Sequence, residues 1–225
     1  MKERSVAIYV EAVHRVTPFR PDVLERWFRF YNDDAIPAMR RHGYQTVGAW
    51  RLLTGGAGED LIVNRFASMA AFEEASANLF ADPAIAAGSA AVRADVPDFA
   101  VAEVVKLGLS PPQLSDAQIE AQLQSARHAG PAGSYYDLQV RSRAASIPAL
   151  VERLLQNGTG TTSGPTLFAV YQTRIGLRDE VTSLWRVPKH DLGAQPALGL
   201  GIFGGELARE ERVDLMLPLP YSPLQ

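Results

Sequence analysis

The feature that most constrains the fold of this chain is an order of strand and helix signals that the sequence contains twice. In the first half, β-branched and aromatic side chains at 6–13 indicate a strand, and apolar residues at helical spacing follow Pro21. Two further strand signals, at 45–53 and 61–66, are joined by the turn sequence TGGAGED. A helix that begins at Ser68 and a last strand, DFAVAEVVKL, complete the order β-α-β-β-α-β.

This order is typical of the split βαβ, or ferredoxin-like, fold, in which four antiparallel strands form one sheet and both helices cover one face. The other face is left uncovered. Because buried apolar area is worth roughly 25 cal/mol per Å², that face has to find a partner.

The same signals begin again in the second half. We predict strands at 135–143, 167–174 and 181–187 and a helix at 147–156. The stretch GELAREE indicates a shortened second helix, and RVDLMLPLP indicates a last strand. We therefore predict an α+β fold of two tandem ferredoxin-like βαββαβ repeats, with antiparallel sheets packed face to face into an α/β barrel.

Three segments follow from this interpretation. The first repeat covers 1–108 and the second, more degenerate repeat covers 134–225. Between them, 109–133 is a linker that contains a short helix, because Ser115 and Gln118 have the spacing of a capping box.

Composition excludes several classes of function. The 225 residues carry a formal net charge of -3 and have no Lys/Arg-rich run, so we expect no nucleic-acid partner. With no cysteine, disulfides, thiolate metal sites and cysteine nucleophiles are excluded. No stretch approaches the roughly 18 apolar residues that span a bilayer, and the N-terminus is typical of a strand rather than a signal peptide. We expect a cytoplasmic protein without a membrane partner, and a homo-oligomer, because the helices and strand edges of a barrel suit self-association.

Common catalytic motifs are also missing from the sequence. The glycines of TGGAG lie in a hairpin rather than between a strand and a helix, so they indicate a turn and not a phosphate loop. There is no serine nucleophile elbow, and the four histidines lack metal-ligand spacing. We expect neither a metal nor another cofactor.

Strand alternation assigns polar residues to the interior of the barrel. The more apolar set of alternate residues in the first strand should face the helices, which turns Tyr9 and Glu11 inward. The same argument turns Asp137, Gln139 and Arg141 inward. Because buried charges usually persist only as pairs, we favour an ion pair between Glu11 and Arg141 over a catalytic role for Glu11.

Several phrases of the sequence resemble a known family. RHGYQTVGAW followed by DLIVNRFASMAAFEEA, the weaker repeat VTSLWRVPK, and the ending LMLPLPYSPL resemble the NIPSNAP family of the dimeric α/β-barrel superfamily. The resemblance covers most of both halves, apart from the linker and 191–205. It implies a barrel of two ferredoxin-like units in a family whose activities are mostly undefined. Related superfamily members include cofactor-independent monooxygenases, polyketide cyclases, isomerases and haem-degrading enzymes.

The resemblance also implies candidate site residues. In related oxygenases an Asn, a Trp and a His bind a phenolic or enol substrate and steady its anion; here Asn64, Trp50 and either His42 or His14 form the available set. Asn64 stands where the family more often has Trp, which indicates a changed pocket in the first half. Asn64 and Arg65 point to opposite faces of the third strand, and alternation does not decide which of them reaches the cavity.

The candidate residues fall into two groups. The candidate catalytic residues are Asn64, Arg65, His42 and Glu11, and the candidate substrate-binding residues are Tyr9, Trp50, Phe66, Arg141, Tyr171 and Trp185. Several of them have a purely structural alternative: Asn64 and Trp50 as satisfied core residues, Trp185 as a packing residue, and His42 as a favourable contact at a helix C-terminus.

Two functions remain open. The first is a small cofactor-independent enzyme, a monooxygenase, cyclase or isomerase, acting on an aromatic or polyketide-like molecule. The second is a non-catalytic binding or assembly protein that uses the barrel for self-association. An interior filled by aromatic residues (Tyr9, Trp50, Phe66, Tyr171 and Trp185) favours the second, whereas an open pocket with convergent Asn, Arg and His groups favours the first.

Overall fold

The first repeat forms one four-stranded antiparallel sheet with its helices on one face. The structure, a computed structural model, describes residues 6–16, 21–56, 58–94, 100–128, 133–158, 165–177, 179–187 and 205–224. The first-repeat elements are β1 (Ile8–Val16), α1 (Pro21–Phe30), α2 (Ile36–Arg41), β2 (Gln45–Leu52), β3 (Glu59–Phe66), α3 (Met69–Phe80), α4 (Pro83–Arg93) and β4 (Ala100–Leu109). Their strand order, β4-β1-β3-β2, is that of a ferredoxin-like sheet.

The second repeat has the equivalent strand order but lacks a second α-helix in its described residues. After the linker helix α5 (Asp116–His128) come β5 (Ser134–Ser142), α6 (Ile147–Gly158), β6 (Thr166–Ile175), β7 (Glu180–Val187) and β8 (Ala208–Pro218). The order of its strands is β8-β5-β7-β6.

The prediction of a helix at GELAREE was wrong. Only Gly205–Leu207 forms a turn of 3₁₀ helix, and the chain enters β8 at Ala208. From there it pairs with β5, and Glu210 forms an ion pair of 2.8 Å with Arg141. Pairing with β5 therefore overrides the local helical preference of this charged stretch. Residues 188–204, which precede it, lie outside the described residues.

The two sheets join at both edges into one closed barrel of eight strands. β2 pairs with β8, where Trp50 lies opposite Pro218, and β4 pairs with β6, where Gly108 lies opposite Thr173. The predicted barrel of two ferredoxin-like repeats is confirmed. Closure leaves no free sheet edge, so all eight strands of the described chain have two neighbours.

Helix ends follow the local sequence. Ser68 Oγ accepts a hydrogen bond of 3.1 Å from the Ala71 amide at the start of α3. Ser115 and Gln118 form the predicted capping box, with the Ser115 amide donating to Gln118 Oε1 over 2.9 Å. A π-helical segment, Tyr31–Ala35, separates α1 from α2 just before Pro37, a residue that interrupts regular helix.

The strand residues divide between an interior face and a helix face as the alternation predicts. Ile8 and Val10 pack with Phe66 on the helix side, whereas Tyr9 belongs to the interior core and stacks on Tyr171 with ring centroids 4.6 Å apart. Trp50, Tyr135 and Phe168 fill the interior beside this pair.

One end of the barrel is closed by the linker helix α5. Ile119 and Leu123 of α5 are buried in the interior core. Arg65 reaches the same helix from the end of β3, with its Nη2 2.8 Å from Asp116 Oδ1. The linker is therefore part of the barrel, and the opposite end is where the interior contains a cavity.

Candidate functional site

The structure distributes the predicted site residues over three regions and does not gather them in one pocket. Tyr9, Glu11, Trp50, Arg65 and Tyr171 face the interior of the barrel. The helix side holds Asn64, Phe66 and Trp185. At the surface, His42 ends α2 and Arg141 lies near the end of β5. The set of Asn64, Trp50 and His42 therefore does not form one site, because Trp50 and Asn64 lie on opposite faces of the sheet.

The predicted ion pair between Glu11 and Arg141 does not form. Lys106 Nζ instead lies 3.2 Å from Glu11 Oε1 and 2.6 Å from Glu180 Oε1. Arg141, with 45% of its side chain exposed, pairs with Glu210 at the surface. The position of Arg141 at the strand end lets its guanidinium stay hydrated, whereas Lys106 is buried between carboxylates. Lys106 was missed, although a lone lysine in the apolar run of β4 was a visible signal.

His42 has a structural role. Its Nε2 lies 2.8 Å from Asp82 Oδ2, and Arg41 Nη2 lies 2.9 Å from the same oxygen. Asp82 also caps α4, accepting from the Ala84 amide over 2.9 Å. These contacts, first among them the one to His42, lower the pKa of Asp82 to about 2. His42 therefore links the end of α2, where the sequence placed it, to the start of α4, and is not among the residues that line the cavities described below.

A cavity of about 280 Å³ lies between the first-repeat sheet and its helices; we call it the helix-side cleft. Its floor comes from β1 and β3, and its walls come from α2, α3 and Tyr44. The lining residues are Val10, Ala12, His14, Met39, Tyr44, Ile62, Asn64, Phe72, Ser76, Leu79 and Phe80. The lining is mainly apolar with a few polar groups, which is the character of small-molecule sites.

Asn64 is the first polar group on the floor of the helix-side cleft. The residue is only 3% exposed, and its Oδ1 accepts a hydrogen bond of 3.0 Å from Thr46 Oγ1. Its amide nitrogen has no hydrogen-bond partner among the described residues. The fold therefore decides which of the two residues of β3 reaches this cleft. Asn64 faces it with a free donor, and Arg65 faces the barrel end.

His14 is the second polar group. The residue is 4% exposed; its Nε2 is 2.8 Å from Tyr31 Oη, and its Nδ1 is buried without a partner in the described chain. Burial lowers the pKa of His14 to about 4, so the imidazole is neutral at pH 7. When Nε2 carries the proton and donates it to Tyr31, Nδ1 is a free acceptor.

A second cavity, of about 360 Å³, opens at the barrel end opposite α5; we call it the barrel-mouth cavity. Its polar lining comes from six strands and consists of Glu11, Glu59, Lys106, Asp137, Gln139, Glu180, Arg212 and Asp214. Two threonines bind the charged side chains of this cavity. Lys106 donates to Thr182 Oγ1 over 2.9 Å, and Thr173 donates to Glu180 over 3.3 Å. Asp137 and Gln139 thus face the barrel interior, as predicted.

A wider cleft of about 560 Å³ lies outside the sheet, between α2, the start of β2 and α5. Arg40, Glu120 and Arg127 are among its lining residues. Arg127 already donates to the Thr46 carbonyl over 3.5 Å and lies 4.0 Å from Glu120. None of the candidate residues lines this cleft.

Two general properties of the described residues bear on function. They contain no cluster of three or more His, Cys, Asp or Glu side chains arranged to hold a metal ion. None of the helices in the described ranges combines the length and the apolar character needed to cross a bilayer.

Comparison with known proteins shows the fold. No family model matches the chain, and no curated protein matches it. A solved protein provisionally named as a chlorite dismutase superposes with a TM-score of 0.55 at 13% identity, over 96% of each chain. Chlorite dismutase from Candidatus Nitrospira defluvii, in complex with imidazole, gives 0.56 at 11% identity, over 97% of this chain and 93% of that one. A protein provisionally named as a monooxygenase from Lactobacillus acidophilus gives 0.55 at 11% identity, over 93% of each. The chain is thus a ferredoxin-like α/β barrel of the architecture these proteins share.

Proposed function

We propose that this chain is a NIPSNAP-like α/β-barrel protein that binds a small aromatic or polyketide-like molecule in the helix-side cleft and acts on it as a cofactor-independent monooxygenase, cyclase or isomerase. One observation carries the proposal. His14 Nδ1, which is buried without a protein partner in the described chain, and the side-chain amide of Asn64, whose oxygen alone is bonded, by Thr46, belong to the same otherwise apolar cleft.

The dimensions of the cleft restrict the ligand. A volume of about 280 Å³ is at the lower end for small-molecule sites, which favours one or two rings. His14 lies opposite Asp60 and Asn64 lies opposite Val10, so the two polar groups are four residues apart along the sheet. This corresponds to about 13 Å of strand. Hydrogen bonds of about 3 Å at each end leave about 7 Å for a flat ligand with polar positions on opposite sides of a ring.

The two groups suit proton abstraction from an enolisable or phenolic ligand. His14 Nδ1 takes a proton from one end of the ligand, and the anion that forms stabilises the imidazolium that burial alone disfavours. The Asn64 amide donates to a conjugated oxygen at the other end, on which negative charge develops. A preorganised donor of this kind can be worth about 3 kcal/mol in a transition state. Isomerisation or cyclisation needs no further reagent, whereas oxygenation uses O₂ as a co-substrate.

Resemblance to other proteins supports the enzyme class without identifying the substrate. The sequence phrases resemble the NIPSNAP family, and solved structures of the same fold include one named for a monooxygenase and several named for chlorite dismutase. These names motivate the choice of reactions to test.

The second candidate is a non-catalytic binding or assembly protein. Tyr9, Trp50 and Tyr171 fill the barrel interior, which is the arrangement expected for that function. Phe66 and Trp185, the other two aromatics of that prediction, pack on the helix side instead. Phe80, 80% exposed at the cleft, offers an apolar contact to a partner. We favour the enzyme because His14 and Asn64 keep unused polar atoms in the cleft.

Binding is tested with a matched pair of probes, naphthalene and 2-naphthol, by calorimetry and by shifts of the Asn64 side-chain amide signals. We expect 2-naphthol to bind more tightly, and Asn64→Leu to reduce its affinity about tenfold while leaving naphthalene unaffected. The control is Asn78→Leu, the same change on the exposed face of α3. If neither probe binds, or if both respond equally to Asn64→Leu, the proposed site is wrong.

Turnover is tested with a naphthol and with an enolisable diketone substrate, in air and without oxygen. Mass spectrometry distinguishes oxygen incorporation from isomerisation or cyclisation, and His14→Gln should abolish either. Ligands that bind at Asn64 but are unchanged in both atmospheres would identify the chain as a binding protein.

A further inference from the structure

The geometry points to a second ligand site on the other face of the sheet: the barrel-mouth cavity binds a small organic cation, a primary ammonium with a short apolar tail, through Asp137. This site lies inside the barrel and is independent of the helix-side cleft.

The carboxylates that line the barrel-mouth cavity are paired with cations, with one exception. Glu11 and Glu180 share Lys106. Arg212 Nε lies 2.8 Å from Asp214 Oδ2, and Arg15 Nε lies 2.9 Å from Glu59 Oε1. Only Asp137 has no cationic side chain in contact within the described residues.

Asp137 keeps one oxygen unused. Its Oδ2 accepts a hydrogen bond of 2.7 Å from Gln139 Nε2. Its Oδ1 is buried without a hydrogen-bond partner in the described chain, and the residue is 2% exposed while lining the cavity. An unpartnered buried carboxylate oxygen is costly, so an occupant that donates to it lowers the free energy of the site.

The balance of charge selects a cationic occupant. Five carboxylates line the cavity, and three cationic side chains contact them, so the site has an excess of negative charge. The described residues offer no arrangement of three metal-ligating side chains, which favours an organic ammonium over a metal ion. An ammonium group carries three N–H donors, and it needs only one adjacent carboxylate to form a charge-assisted hydrogen bond.

The rest of the lining suits an apolar tail. Val13, Leu52, Leu61 and Leu177 line the same cavity as Asp137. A volume of about 360 Å³ accommodates an alkyl chain or a single ring beside the ammonium group. Leu177 is exposed at the turn between β6 and β7, which places it at the entrance.

The protonation behaviour of Asp137 gives the site a pH dependence. Burial, and then the charge of Glu11, raise the pKa of Asp137 to about 7, and Lys106 opposes that rise. The charged and titratable groups around the cavity are Glu11 of β1, Glu59 of β3, Lys106 of β4, Tyr171 of β6, Glu180 of β7 and Arg212 and Asp214 of β8. Cation binding requires the ionised form, so affinity should rise between pH 6 and pH 8 and binding near pH 7 should release a proton.

Calorimetry with benzylamine and benzyl alcohol tests the inference directly. At pH 8 we expect benzylamine to bind and benzyl alcohol, which has the same shape without the charge, to bind at least tenfold more weakly. Asp137→Asn should reduce benzylamine affinity at least tenfold. Asp179→Asn, the same change at an exposed position of the β6–β7 turn, should leave it unchanged. Titrations near pH 7 in buffers of different ionisation enthalpy measure the released proton.

A second variant tests the tail contact without touching the buried charges. Leu177→Ser should weaken benzylamine several-fold and leave methylamine, which has no tail, unaffected. The inference is overturned if benzylamine and benzyl alcohol bind equally, if benzylamine does not bind at pH 8, or if Asp137→Asn, folded as judged by circular dichroism, binds it as the native protein does.

Discussion

Tyr171 Oη donates a hydrogen bond of 2.7 Å to Glu11 Oε1, joining two residues that are 160 positions apart and belong to different repeats. The bond crosses the barrel interior, and Lys106 holds the same carboxylate oxygen from β4. Contacts of this kind connect the two sheets through their shared interior rather than through their edges alone.

Replacing Tyr171 by Phe should therefore destabilise the whole barrel. A hydrogen bond to a buried charged group contributes about 1.5–3 kcal/mol, and its loss should appear as one cooperative decrease in the free energy of unfolding by urea. The matched control is Tyr44→Phe, which removes a bond of 3.0 Å to Ser76 in a half-buried, uncharged setting and should cost about 1 kcal/mol. Equal losses in the two variants would contradict the role given to Glu11.

Lys106→Met should be more damaging. It leaves Glu11 and Glu180 buried without their shared cation, and breaking such a pair costs about 3–5 kcal/mol. Arg141→Met removes a surface ion pair with Glu210 and should change stability by less than about 1 kcal/mol. Urea denaturation of both variants at pH 7 measures the contrast.

His14 should make the protein less stable in acid. Its pKa is lowered from 6.5 to about 4 by burial, so between these values the unfolded chain binds a proton that the folded chain does not. The free energy of unfolding therefore falls as pH decreases through this range. His14→Gln lacks this contribution. Between pH 7 and pH 4 the free energy of unfolding should therefore fall more for the native protein than for the variant. Parallel stability curves would show that His14 is not buried in its neutral form.

Asp137 should act in the opposite direction. Its pKa is raised from 3.8 to about 7, so within this range the folded chain holds a proton that the unfolded chain has lost. Stability contributed by the neutral carboxyl is complete below pH 3.8 and falls as pH rises to about 7. Asp137→Asn removes this dependence, and at pH 8 it should be more stable than the native protein by a few kcal/mol. Asp179→Asn serves as the control, and a variant that follows the native pH profile would contradict the burial of Asp137.

Much of the architecture could be predicted because one face of each early strand is more apolar than the other. In β1, alternation correctly placed Tyr9 and Glu11 inside and Val10 on the helix side. β3 is buried on both faces, so its sequence pattern does not distinguish them. The side of the sheet on which Asn64 lies therefore follows only from the structure.

The charged partners could not be predicted in the same way. The choice of Lys106 over Arg141 for Glu11 depends on which strands become neighbours when two sheets close, and on how far each residue lies from the barrel end. Both His14 and His42 were candidates in the sequence. No local pattern indicates that Tyr31 and Trp27 pack around His14, or that Asp82 binds His42.

Covalent fusion of the two repeats has a consequence for symmetry. Two identical single-repeat chains would carry the same side chain at both equivalent positions of a barrel. Here β3 and β7 have the same length and place in their sheets, yet Asn64 in one corresponds to Trp185 in the other, and His14 of β1 corresponds to Val140 of β5. Trp185 and Val140 are fully buried in a packed apolar cluster. One repeat is therefore packed at these positions, whereas the other has a cavity lined by His14 and Asn64, an asymmetry that a barrel of two identical chains cannot have.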